Sequence, residues 1–86
     1  MVLACQTWQV SLTQTSSAYP ATQDKARQLA VEAAASDPQW QPIADDMTTL
    51  VALGTDTSSA AVTKGQATFT DLSNQCRSVG VVVNGG

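Results

Sequence analysis

Between Asp56 and Val79 the apolar side chains fall at Val62, Phe69, Leu72, Cys76 and Val79, with Gly65 in the one small position, so the intervals run three, four, three, four, three. A helix with that repeat carries a single apolar stripe, which has to lie lengthwise against other helices. The fold of the chain is therefore set by what covers this stripe. The three preceding segments read as its partners.

From Leu3 to Ser17, the residues Cys5, Trp8, Leu12 and Thr15, continued by Tyr19, repeat at three and four and predict a first helix. Thr7, Thr13 and Thr15 are weak helix formers, so packing has to hold it. Pro20 reads as a break and Thr22 as an N-cap. Gln23 to Ala35 then predicts a second helix with Ala26, Leu29, Ala30 and Ala33 on its inner face. Asp37 followed by Pro38 has the chemistry of a cap with proline at the first helical position. The third helix that it opens carries Trp40, Ile43, Met47 and Leu50, with Val51 widening the stripe and Pro42 in or just past the first turn. Gly54 is a left-handed stop, and Asp56 or Thr57 caps a fourth helix of roughly 22 residues. In that helix Gly65 costs about 1 kcal/mol relative to alanine, and the reading is that it marks a close contact beneath Trp8 or Trp40. Gly80 ends the helix. Residues 1–80 thus form one domain, and 81–86 read as a frayed, glycine-rich tail.

Short connections make consecutive helices antiparallel neighbours, which gives an all-α four-helix bundle of up-down-up-down topology. The start of the first helix and the end of the fourth then lie at the same end, and Cys5 and Cys76 occupy those places. A disulfide between them is expected. At 86 residues a core alone is marginal, and the chain-entropy relation assigns the bridge ~4 kcal/mol. Such a bridge implies an oxidising compartment, so the expected location is secreted or extracytoplasmic, at the cell envelope.

Composition removes several classes of function. Only 13% of residues are charged, the net charge is −3, and the four basic residues Lys25, Arg27, Lys64 and Arg77 form no cluster. Nucleic acid and anionic membrane surfaces are therefore not expected partners. The chain has no histidine, and its two cysteines have no second pair with metal-ligand spacing, so neither a metal nor any other cofactor is expected. No apolar run reaches the length of a transmembrane segment. Met1 to Cys5 holds no basic region and no long apolar stretch, so no complete signal peptide is read there.

Local motifs resolve mostly into structural roles. Val2-Leu3-Ala4-Cys5 is similar to the end of a lipoprotein cleavage box, but lipidation of Cys5 would leave Cys76 unpaired. Leu53-Gly54-Thr55-Asp56-Thr57 resembles the attachment site of acyl carrier proteins. Threonine stands there in place of the serine, however, and no acidic helix follows. Asp45 and Asp46 are adjacent and point about 100° apart on a helix, which suits a solvated face better than an acid pair. Trp8, Trp40, Tyr19 and Phe69, with Gly65 beside them, read first as core and secondarily as the lining of a ligand or partner site. Serines and threonines are plentiful, but none has a base to activate it.

Taken together, Cys5 near the first helix start, Asp37-Pro38-Gln39-Trp40 opening the third helix, Leu53 to Thr57 before the fourth and Asn74-Gln75-Cys76-Arg77 near its end resemble small helical domains of exported proteins and lipoproteins of high-GC Gram-positive bacteria. Those domains mostly have no assigned activity, and the resemblance implies an envelope location. The expectation is a non-catalytic extracytoplasmic module that binds a protein or another envelope component. The alternative is a carrier of a small apolar ligand between the helices.

Overall fold

The computed structural model describes residues 1–15, 17–54, 56 and 58–83. Four helices follow one another: α1 (Val2–Ser11), α2 (Tyr19–Ser36), α3 (Gln41–Leu53) and α4 (Ser59–Ser78). A 3₁₀ turn, Pro38–Trp40, precedes α3. Among the described residues there is no strand, and no helix is long and apolar enough to cross a membrane.

Each helix end has a local cause, and α1 stops six residues earlier than its apolar spacing predicts. Past Gln9 the backbone tightens into three-residue steps, with Leu12, Thr13 and Gln14 N–H donating to the carbonyls of Gln9, Val10 and Ser11. The Ser11 and Thr13 hydroxyls donate to the carbonyls of Trp8 and Val10, competing with the helical ladder. Pro20 starts α2 rather than breaking the chain, because it falls in the first turn, where its missing N–H has no partner to lose. Thr22 is accordingly inside the helix and is not its cap. Asp37 caps as expected, accepting from Gln39 N–H, but what it caps is the 3₁₀ turn. Pro42 has no N–H to give the Pro38 carbonyl, which accepts from Gln41 instead, and regular α-helix begins only at Gln41.

At α4 the cap is Ser58, whose hydroxyl accepts from Ala61 N–H at 3.3 Å. Asp56 acts one step earlier, accepting from Ser58 N–H at 3.0 Å; Thr55 and Thr57 lie outside the described residues. Gly54 has φ 48° and ends α3 as expected. At the other end of α4, Gly80 has φ 86°. There Val81 N–H donates to the Cys76 carbonyl and Gly80 N–H to that of Arg77, which is a Schellman stop.

That stop corrects the reading of the tail. It turns the chain back over the last turn of α4 and buries Val81 and Val83, while Val82 between them faces solvent. Both valines belong to the main core, so the packed domain continues past residue 80. Residues 84–86, the remainder of the expected tail, lie outside the described residues.

Packing runs in chain order, α1 on α2, α2 on α3 and α3 on α4, whereas α1 and α4 share no broad face. The ring is closed by the Cys5–Cys76 disulfide, with Cα atoms 5.8 Å apart. The bundle is thus the expected all-α, disulfide-closed one. Ala26, Ala30 and Ala34 line the buried side of α2 and let its neighbours approach closely, with Trp8, Ile43, Met47 and Leu72 supplying the bulk. On α4 the predicted stripe divides. Leu72 and Cys76 are fully buried, but Val62 is 46% exposed.

Candidate functional site

The division of the α4 stripe follows from helix length. Beginning at the disulfide, α1 has only six residues left after Cys5, or ~9 Å at the standard rise. From Cys76 back to Ser59, α4 runs 17 residues, ~26 Å. The helix that should cover the stripe therefore ends about a third of the way along it. Phe69, Gly65 and Val62 lie toward and beyond the level where α1 ends, and there a cleft of about 480 Å³ opens at the end of the bundle away from the disulfide, with Trp8 of α1 at its base.

All four helices contribute to it. The floor and near wall are Trp8 of α1 and Leu12 just after that helix, with Tyr19 and Gln23 from the start of α2. Leu50, Leu53 and Gly54 come from the end of α3, and the α4 wall is Ala61 to Thr70. Trp8 is 1% exposed, so its ring lies beneath the cavity as a floor. Its indole N–H is buried without a partner.

The nearest atom to a Cβ placed on Gly65 is Leu53 Cδ1 at 3.7 Å, an ordinary contact, so this glycine does not lie tight beneath a tryptophan. What it supplies is volume in the cleft wall. Trp8, Tyr19, Phe69 and Gly65, four of the five residues singled out in the sequence, meet here. Trp40 does not. It sits in the 3₁₀ turn at the disulfide end, partly buried against the core.

The lining is mostly apolar, with polar groups supplied by Gln23, Gln66, Thr70 and the Tyr19 hydroxyl, and Asp56 at the mouth. Ser58 N–H donating to the Asp56 carboxylate holds its pKa below the ordinary value, so the group stays ionised. Among the described residues neither Lys nor Arg lines the cavity. The site can hold an apolar body and has a negative charge at its edge. Among the described residues its titratable groups are Tyr19 and Asp56.

A second polar cluster, not foreseen from the sequence, lies where α3 meets α4. Asp45 is exposed and accepts from Gln41 Nε2 at 2.8 Å, as a solvated face requires. Asp46, expected on the same solvated face, is instead half-buried and turned toward α4. There Gln75 Nε2 donates to both Asp46 and Asp71, which brings the two carboxyl groups together. Burial first, and then the Asp71 hydrogen bond and charge and the charge of Asp45, push the Asp46 pKa up to about 7. Asp71 stands outside the apolar stripe, so no periodicity in the sequence links it to Asp46. Among the described residues no group of three or more His, Cys, Asp or Glu side chains is placed to hold a metal ion.

No protein-family model, curated protein or solved structure matches the chain.

Proposed function

We propose that the protein is a non-catalytic extracytoplasmic binding module whose cleft takes a small apolar or amphiphilic molecule. The observation that carries this reading is the ~480 Å³ cavity walled by Trp8, Leu12, Leu50, Leu53 and Phe69. That volume lies within the range of ligand sites, and the few polar groups at its edge are of the kind that orient a ligand. Asp56 gives the mouth a negative charge, and no Lys or Arg is among the described lining residues, so the favoured ligand has a neutral or cationic head and a fatty-acid carboxylate is disfavoured. A non-catalytic role rests on the lack of histidine and on a lining with no base beside a nucleophile. The extracytoplasmic location rests on the disulfide and on the resemblance to exported helical domains.

Thermal unfolding in the presence of straight-chain C8 to C12 alcohols, alkylammonium ions and carboxylates, each below its micelle concentration, tests the assignment. A ligand at 100 times its Kd adds about 2.7 kcal/mol, or roughly 10 to 20 °C in Tm for a domain of this size. Alcohols and alkylammonium ions are expected to raise Tm and carboxylates to leave it unchanged. No shift with any of them would refute the carrier. A second reading, a docking module that receives an apolar side chain of a partner protein, is favoured by Val62 standing 46% exposed at the rim.

A further inference from the structure

We infer that Asp46 and Asp71 share one proton across the α3–α4 interface and form an acid-closed latch that sets the width of the neighbouring cleft. One nitrogen, Gln75 Nε2, reaches both carboxyl groups, so with both ionised two acceptors of like charge would stand side by side, which a proton shared between them relieves. Gln75 Nε2 donates to both and fixes them in register, but an amide brings no positive charge to neutralise the pair. The charged groups that act on Asp46 are Asp71 from α4 and Asp45 from its own helix. Among the described residues, α2 and the 3₁₀ turn, which also pack on α3, place no charge among them. On losing its proton the pair becomes two like charges with no cation beside them among the described residues, and their repulsion favours separation.

Position links that separation to the cavity. Asp71 directly follows Thr70, and Asp46 lies one turn before Leu50 and two before Leu53; all three of those residues line the cleft. Since α3 and α4 meet the rest of the fold largely through their own neighbours, movement at this pair opens or closes the wall between them. Protonated, the pair draws the helices together. Ionised, it pushes them apart.

The latch concerns the shape of the cleft and not its occupant, so it is tested on the ligand-free protein. Carboxyl ¹³C titration by NMR is expected to show one member of the Asp46–Asp71 pair retaining its proton far above the ordinary carboxylate range, near neutral pH. The Leu53 methyl and Phe69 ring signals are expected to shift with the same midpoint. In Asp46→Asn the Leu53 and Phe69 signals lose that pH dependence, and Asp71→Asn, which removes the other carboxylate, has the same effect if the first variant does not fold. Both carboxyl groups titrating near pH 4, or Leu53 and Phe69 signals that ignore the titration, would overturn the latch.

Discussion

Reducing the Cys5–Cys76 bridge is the perturbation whose size follows most directly from the architecture. The two cysteines are 71 positions apart, and loop-closure entropy for a ring of that size amounts to ~4 kcal/mol at room temperature. The bond is also the direct tie between α1 and α4, which share no broad face. Both sulfurs are fully buried, so the reduced thiols still fill their space and the change is not confused with a cavity. Against a total stability of order 5–15 kcal/mol for a domain, ~4 kcal/mol is a large share. The corresponding fall in Tm is roughly 15–30 °C. Urea unfolding followed by circular dichroism, with and without reductant, measures it, and the m-value should rise on reduction because the unfolded chain is no longer held in a ring. A loss of less than about 1 kcal/mol would show that the bridge does not restrict the unfolded chain as a ring of this size requires.

Other perturbations separate the remaining elements. Gly65→Ala should raise stability by up to about 1 kcal/mol in urea unfolding, since helix propensity improves and the new Cβ meets Leu53 at an ordinary 3.7 Å. Val81→Ala and Val83→Ala should each cost about 1–2 kcal/mol, while Val82→Ala, on the exposed residue between them, should cost almost nothing; three equal effects would mean that the segment does not pack as described. Asp37→Ala should lose about 1 kcal/mol by removing the acceptor for Gln39 N–H. For pH, Asp46 is raised from 3.8 to about 7 in the folded state, so its contribution to stability is complete below about pH 4 and is lost as pH rises through about 7. Asp24, held low by Arg27, and Asp56, held low by Ser58, act in the opposite sense, losing their contribution as pH falls through their folded values. The urea midpoint of wild type should therefore decline between about pH 4 and 7, and that of Asp46→Asn should be flatter over the same interval.

Much of the fold could be read from intervals of three and four, because a helix has to bury its stripe wherever the stripe occurs. The topology and the disulfide followed from segment order alone. The length of α1 was less accessible. Thr15 and Tyr19 continue its spacing, but Ser11 and Thr13 spend their hydroxyls on nearby carbonyls, and that local competition decides where the helix stops. Four of the five residues of the candidate site were legible as large or small members of seams, but what makes them a site is the missing length of α1 opposite them. Trp40 was misplaced because an aromatic at helical spacing looks the same at either end of a bundle. The Asp46–Asp71 pair stayed hidden because it depends on the rotation of α3 against α4, which a count of apolar positions does not fix. Gly80-Val81 carried a visible signal, since a glycine stop followed by an apolar residue is the pattern of a Schellman turn that folds the next side chain inward.

The short first helix leaves an apolar cleft able to take a ligand. Fluorescence titration with the neutral apolar probe N-phenyl-1-naphthylamine, run in parallel on wild type and Gly65→Leu, tests it most directly. The expected result is saturable binding at one probe per chain in wild type, abolished in a Gly65→Leu protein that unfolds at the same temperature or higher. No saturable binding by wild type, or equal binding by the two proteins, would contradict it.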